Sequence, residues 1–408
     1  MATVRQVPDM PARFVSTRIG VKRSASGVVV GKGTGTSLTS SSCAFAVLGA
    51  GGHSHAVVEA RDGETVVAVK LYERRECAAV DGGDGGTCTR SRPCAECAAD
   101  AYVELYEREV ATMLAVPPHA NVVPLLDSFW SDSYMIVVVP RYRCDLRTYV
   151  REHRVGAFPA QRSIAFMRSL LEAAAFLHAH SVVHRDLTPR NVFLTHNWTP
   201  VIGDFSSAAI MHTTAAAEAQ SLLLPPLPPP PLYSASSLGA PPPPPPPPHL
   251  PPGTLLTPAV TSMWFRSPET LLCLPYDEKV DVWSLALVWL FCLDGRYRLT
   301  PSTEQEAVEQ IEHSIGPFPQ RMIDQSQAPA TLEFVSSTGR DTARGGGGGV
   351  RDGVRRSVFA APRCLEAHGA GDLLRDMLRV DPAARLSATH ALQRLNALSP
   401  ARSAVVSS

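Results

Sequence analysis

Eight consecutive prolines, Pro241 to Pro248, set the first limit on what this chain can fold into. Proline fixes its own φ and carries no N–H, so such a run favours an extended polyproline II rod and cannot enter a helix or the interior of a sheet. With PPLPPPPL just upstream, it removes the stretch between Leu222 and Pro258 from any core. A second stretch, from about Ser336 to Val354, carries five glycines at Gly345 to Gly349 and reads as a flexible linker. The core must come from what flanks them. The material suffices, because 45% of the 408 residues are hydrophobic and glycine and proline are clustered rather than spread. That pattern predicts an ordered domain carrying inserts.

The flanking segments separate by period. Thr65 to Tyr72 (TVVAVKLY) is β-branched and apolar, and Tyr134 to Val139 (YMIVVV) has the character of a buried strand. EREVATMLAV has helical spacing and stops before Pro117 and Pro118. From Ser163 to His180, Ile164, Met167, Leu170, Leu171, Ala174 and Leu177 recur at helical period. Trp283 to Leu293 is apolar on all sides and predicts a helix buried all round. Strands first and helices after them make an α+β chain of two lobes. Residues 1–43 are expected to be a disordered tail, with order beginning near Ala44. Residues 44–142 form a small β-rich N-lobe with an insert at about 74–99. Residues 143–395 form a larger helical C-lobe, interrupted at about 207–257 and 336–354, and 396–408 are a second tail.

Charge excludes some partners. Lys plus Arg equals Asp plus Glu at 38 each, which points to neither nucleic acid nor an anionic membrane surface. No run of 18 apolar residues is present to span a bilayer. The first 58 residues hold a single acid, Asp9, as in an organelle transit peptide, but an ordinary tail is the preferred reading. Nine scattered cysteines fit reduced thiols in an intracellular protein, cytoplasmic or nuclear. Cys77, Cys88, Cys94 and Cys97 lie close enough in sequence to bind zinc, although their spacing matches no common module and incidental loop thiols are preferred.

The chemistry concentrates between His184 and Asp204. HRDLTPRN sets Asp186 five residues before Asn191, and Asp204 follows thirteen residues later in VIGDFSS. One carboxylate to orient a hydroxyl, with an amide and a second carboxylate to hold magnesium, is the set that phosphoryl transfer from ATP needs. Upstream, LGAGGHSHAVV offers glycines before a strand turn, where backbone amides can approach phosphates, and Lys70 follows in VAVK. These runs resemble the catalytic loop, the glycine-rich loop and the strand lysine of eukaryotic protein kinases. VTSMWFRSPET, VDVWSLA and MLRVDPAARLS resemble later segments of the same family, in particular its cyclin-dependent, mitogen-activated and Clk-like group. The resemblance covers residues 44 to 395.

The resemblance implies the bilobal kinase fold and a role for each matching residue. Asp186 would orient the substrate hydroxyl, and Lys70 would meet ATP phosphates while paired with Glu109, for which Glu107 is a rival. Asn191 and Asp204 would hold Mg2+, and Leu48, Gly49, Gly51, Val57 and Ala68 would line the ATP site. Ser262 would be the substrate-loop hydroxyl, Arg266 the arginine typical of the group, and Asp281 the partner of the catalytic-loop backbone. Glu269 would pair with Arg385. Arg185 would meet a phosphate on the activation segment, with Thr257 the candidate phosphosite and an unmodified threonine the alternative.

The chain also departs from the family pattern. Thr188 stands where serine/threonine kinases carry a lysine, and Arg190, four residues after Asp186, is expected to supply the phosphate-facing cation instead. Ser206 replaces the glycine of DFG, at a cost in backbone freedom. The third position of the glycine loop falls on Ser54 or His55, and 65 residues separate Asp204 from Glu269. The expected activity is transfer of the γ-phosphate of ATP to Ser or Thr of a protein substrate. A pseudokinase scaffold is the alternative. A tyrosine kinase rests on Arg190 alone and is opposed by WFRSPE. The polyproline run suits an SH3- or WW-type groove or a solvated spacer. A cyclin partner stays open, since nothing resembles a PSTAIRE helix and the cysteine-bearing insert lies where a cyclin would approach.

Overall fold

The computed structural model describes residues 4–7, 43–49, 56–62, 65–73, 101–130, 134–153, 158–211, 262–328 and 359–398. The chain divides into two compact units, 1–143 with 204–206, and 144–203 with 207–408.

Alternation builds the first unit. Strands β1 (Val4–Val7), β2 (Cys43–Gly49), β3 (Ala56–Asp62), β4 (Thr65–Glu73), β5 (Asp127–Trp130) and β6 (Tyr134–Pro140) form one sheet in the order β1-β2-β3-β4-β6-β5. Successive side chains of a strand face opposite ways, so Val67, Val69 and Leu71 share a face with Val58, Ala60, Tyr134, Ile136 and Val138. Together these make a buried apolar cluster. The other parity of β4 carries Ala68, Lys70 and Tyr72, with Lys70 paired to Val57 on one side and Val137 on the other. Helix α1 (Ala101–Ala115) packs against β4 and β6, and its Tyr106 meets Tyr72 edge to face at 6.0 Å. Tyr106, Glu109, Val110 and Met113 are its buried stripe at helical spacing. The helix starts well before the EREV run that signals it in sequence.

β1 is a correction to the reading of residues 1–43 as a tail without regular structure. Val4 pairs with Ala46 and Val7 with Cys43, antiparallel, at the outer edge of β2. Four residues are too few for a period to be legible, yet enough to satisfy part of an edge strand's unpaired backbone groups.

Helices dominate the second unit, with α2 (Leu146–His153), α3 (Ala160–Ala179), α4 (Pro268–Leu271), α5 (Lys279–Asp294), α6 (Glu304–Ser314), α7 (Gln320–Asp324), α8 (Arg363–Glu366), α9 (Gly371–Met377) and α10 (Ala388–Ala397). α5 is buried without a break from Val280 to Leu293 and ends at Gly295, whose φ of 66° is the left-handed angle glycine adopts cheaply. It begins four residues before the apolar run because Asp281, polar in sequence, is also buried. α3 lies against α5 and α10, and the indole of Trp289 donates to Ser163 Oγ at 3.1 Å.

Short strands position the loop that follows α3. β8 (Val182–Val183) leads into it and pairs with β11 (Ala209–Ile210); β9 (Val192–Leu194) leads out and pairs with β7 (Cys144–Asp145) and β10 (Pro200–Ile202). Both ends of residues 184–191 are thus tied into ladders. The structure remains regular through Ile210, so the insert expected from 207 starts later than that. At the other end α10 carries Asn396 and Ala397, placed in the tail by the sequence reading.

Candidate active site

In the first unit, three ionisable groups meet on the Lys70 face of the sheet. Lys70 Nζ lies 3.1 Å from Glu109 Oε1 and 2.6 Å from Asp204 Oδ1. Lys70 and Glu109 are 8% and 3% exposed, so this pair is shielded from screening by water. Burial alone would push Lys70 towards its neutral form, but the charges of Asp204 and Glu109 outweigh it and hold the ammonium well above its ordinary pKa. Burial pushes the Glu109 carboxyl up, against the pull of Lys70. Glu107, the rival, lies exposed on the outer side of α1. Helical geometry decides between them: Glu109 falls three residues after Tyr106, on the stripe that faces the sheet.

Two hydroxyls join this group that the sequence reading did not assign to it. The Tyr72 phenol donates to Glu109 Oε2. Ser206 Oγ donates to Asp204 Oδ1 at 2.7 Å, and Arg108 Nη1 reaches the Ser206 carbonyl at 3.5 Å. The expected strain at Ser206 is not where sequence placed it. Phe205–Ser207 is a turn of 3₁₀ helix, and the left-handed residue is Asp204, at φ 66°. Short polar side chains such as Asp tolerate that region better than most. Gly49 pairs with Val57 across an irregular register, whereas Gly51, Ser54 and His55 lie outside the described residues. Ala68 is 8% exposed and paired with Glu59 and Val139, and Leu48 belongs to β2.

In the second unit the loop from His184 to Asn191 is pinned from several sides. Asn191 Nδ2 donates to Asp186 O at 2.8 Å and to Asp186 Oδ2 at 2.9 Å, while the Ser262 backbone N–H donates to Asp186 Oδ1 at 3.0 Å. Both carboxylate oxygens of Asp186 are therefore oriented. Thr188 is buried and its carbonyl accepts from Asn191 N, whereas Arg190 is exposed. Asp281 accepts from His184 N (2.9 Å), Arg185 N (2.8 Å) and His178 Nε2 (2.9 Å). Burial works against its charge, but the bonds from His178 and the loop backbone prevail and hold its carboxyl below the usual range. His178 was missed; its signal was the FLHAHSVVHRD run, in which His178 is the penultimate residue of α3.

Arg185 takes a left-handed φ of 67°. Its guanidinium donates to the carbonyls of Ser207 (2.5 Å) and Ala208 (3.2 Å) and to Tyr276 Oη (3.2 Å), so in this conformation its forks are turned to backbone. Arg266 is buried and donates to Glu304 Oε1 at 2.6 Å. Glu269 and Arg385 form a bidentate pair at 2.6 and 2.9 Å with both side chains fully buried. Thr257, Cys77, Cys88, Cys94 and Cys97 lie outside the described residues. Among the described residues no group of three or more His, Cys, Asp or Glu could hold a metal ion, and no helix is long and apolar enough to cross a membrane.

The family model of the protein kinase domain matches residues 46–224 and 247–395. Cyclin-dependent kinase 4 of Rattus norvegicus is 27% identical over 293 residues, 70% of this chain and 78% of that protein. The phosphorylase b kinase gamma catalytic chain, liver/testis isoform, of Homo sapiens is 27% identical over 297 residues, 71% of this chain and 53% of that protein. The serine/threonine-protein kinase US3 homolog of Gallid herpesvirus 2 (strain GA) is 30% identical over 172 residues, 42% of this chain and 33% of that protein.

Proposed function

Because the chain belongs to the protein kinase family, we propose that it transfers the γ-phosphate of ATP to serine or threonine hydroxyls of protein substrates. ATP and a divalent metal ion are what this family uses in general. The observation that carries the reading is the Asp186 carboxylate, fixed through one oxygen by Asn191 and through the other by Ser262 N–H. A carboxylate so held can orient a substrate hydroxyl and take its proton as transfer proceeds. Lys70, kept cationic beside Glu109 and Asp204, is suited to meeting phosphate oxygens.

Asn191 and Asp204 are proposed as the residues that would hold Mg2+, because an amide oxygen and a carboxylate are hard donors of the kind it takes. When bound, the ion would neutralise phosphate charge. Arg190, exposed and close to the catalytic aspartate in sequence, is proposed as the phosphate-facing cation in place of the absent lysine at Thr188. Serine/threonine preference is supported by WFRSPE and by the name of the US3 relative. The scaffold alternative draws no support from relatives that are all named as kinases.

The test is transfer of labelled phosphate from ATP to a peptide library, followed by phosphoamino-acid analysis, with Asp186→Asn as the control. Phosphoserine and phosphothreonine are expected, with turnover lowered about a hundredfold or more in the variant. Equal turnover in the two proteins would sink the role of Asp186, and phosphotyrosine as the main product would sink the specificity.

A further inference from the structure

We propose that Ser206 and Tyr72 are positioning residues, two hydroxyls that clamp the outer carboxylates of the buried Glu109–Lys70–Asp204 series and set their orientation for nucleotide and metal binding. This rests on the reading of those three residues as the phosphate- and metal-holding groups. A lysine ammonium is a point charge with rotatable donors and does not by itself fix how a carboxylate is turned. A hydroxyl bond with a defined direction does. At the Asp204 end, Ser206 Oγ (2.7 Å) and Lys70 Nζ (2.6 Å) both address Oδ1, with Ser206 N at 3.4 Å on the same atom. At the Glu109 end, Lys70 Nζ lies 3.1 Å from both Oε1 and Oε2, and the Tyr72 phenol donates to Oε2.

Each hydroxyl is itself fixed by its surroundings. Tyr72 is fully buried, its ring meets Tyr106 edge to face, and the Lys70 ammonium sits 5.2 Å from its centroid. Burial and the neighbouring Glu109 charge keep the phenol protonated, and hence a donor. Ser206 is 1% exposed between Phe205 and Ser207, both also buried, and its carbonyl is approached by Arg108 of the helix that carries Glu109. Fully partnered polar networks of this kind hold their members more tightly than isolated pairs do. A glycine at 206, as the resemblance leads one to expect, has no hydroxyl to offer. The substitution that reads as damage in sequence therefore adds a donor in the structure.

The experiment uses the full chain with Ser206→Ala, Ser206→Gly, Ser206→Thr and Tyr72→Phe. Binding of a non-hydrolysable ATP analogue is measured by calorimetry across a Mg2+ series, alongside kcat and KM for ATP and for peptide. Ser206→Ala, Ser206→Gly and Tyr72→Phe are each expected to weaken Mg2+-dependent analogue binding about tenfold, the scale of a bond to a charged group, with peptide KM unchanged. Ser206→Thr, which keeps the hydroxyl, is expected to restore it. Tighter binding by Ser206→Gly, unchanged binding by Ser206→Ala, or a threonine variant as weak as alanine would overturn the proposal. Should Tyr72→Phe fail to fold, the Ser206 series decides alone. A wild type that binds the analogue but transfers no phosphate defeats the kinase reading and leaves the binding arm to judge this one. A wild type that binds none defeats both.

Discussion

Asp281 carries its charge in the interior of the second unit because three donors converge on it, and that fixes how it answers to pH. Its folded pKa lies below the ordinary 3.8, so its contribution is complete above that value and is lost only as pH falls through the lower, folded pKa. Asp281→Asn keeps the shape but sets an amide N–H against backbone donors. We expect it to lower stability by about 3 kcal/mol at neutral pH. The gap to wild type should stay constant down to about pH 5 and close only below about pH 4. Urea midpoints followed by tryptophan fluorescence would check this, and a gap that closes well above pH 5 would deny that the Asp281 carboxylate carries the effect. Asp281 was legible as a residue that bonds the loop backbone, since VDVWS marks it. The Ser206 hydroxyl was not. Whether a side chain in a tight turn strains the backbone or finds an acceptor depends on the φ of its neighbours, and here the left-handed angle fell on Asp204.

Elements hold one another through a few buried pairs. α4 is four residues long, too short to persist alone, and its Glu269 is gripped by Arg385 from the segment before α10. The Arg385 guanidinium also donates to the carbonyls of Arg379, Lys279 and Val380, so it ties α4, the start of α5 and the approach to α10 into one corner. Removing one partner leaves the other charge buried and unpaired. Arg385→Met is expected to cost about 4 kcal/mol, and Glu269→Gln combined with Arg385→Met less than the sum of the two single changes. A double-mutant cycle on thermal or urea midpoints tests it, and additive costs would deny the coupling. This pair was readable from sequence at a separation of 116 residues only because both ends sit in motifs. The start of α1 was not, since AYVELYEREV mixes aromatic and acidic residues without a cap that sequence alone can fix. β1 was hidden for the opposite reason: a short edge strand owes its place to the neighbour it pairs with rather than to its own pattern.

At the scale of the whole molecule, residues 212–261 lie between described segments of the second unit, and the kinase family match passes over 225–246 among them. Sequence limits what this stretch can contribute, because a proline run has no backbone donors for a ladder or a helix. Deleting 225–246 shortens a 50-residue connection to 28. For a chain of that composition, loop closure then becomes easier by roughly 0.5 kcal/mol, since each doubling of length costs only about 0.6 kcal/mol. We therefore expect the deletion variant to melt at or slightly above the wild-type temperature and to keep its phosphate transfer to peptide. Loss of cooperative melting would mean that these prolines pack against the core after all. Unchanged melting with transfer raised or abolished would instead identify the stretch as a regulator acting through the segment that reaches Ser262 and, through its backbone N–H, Asp186.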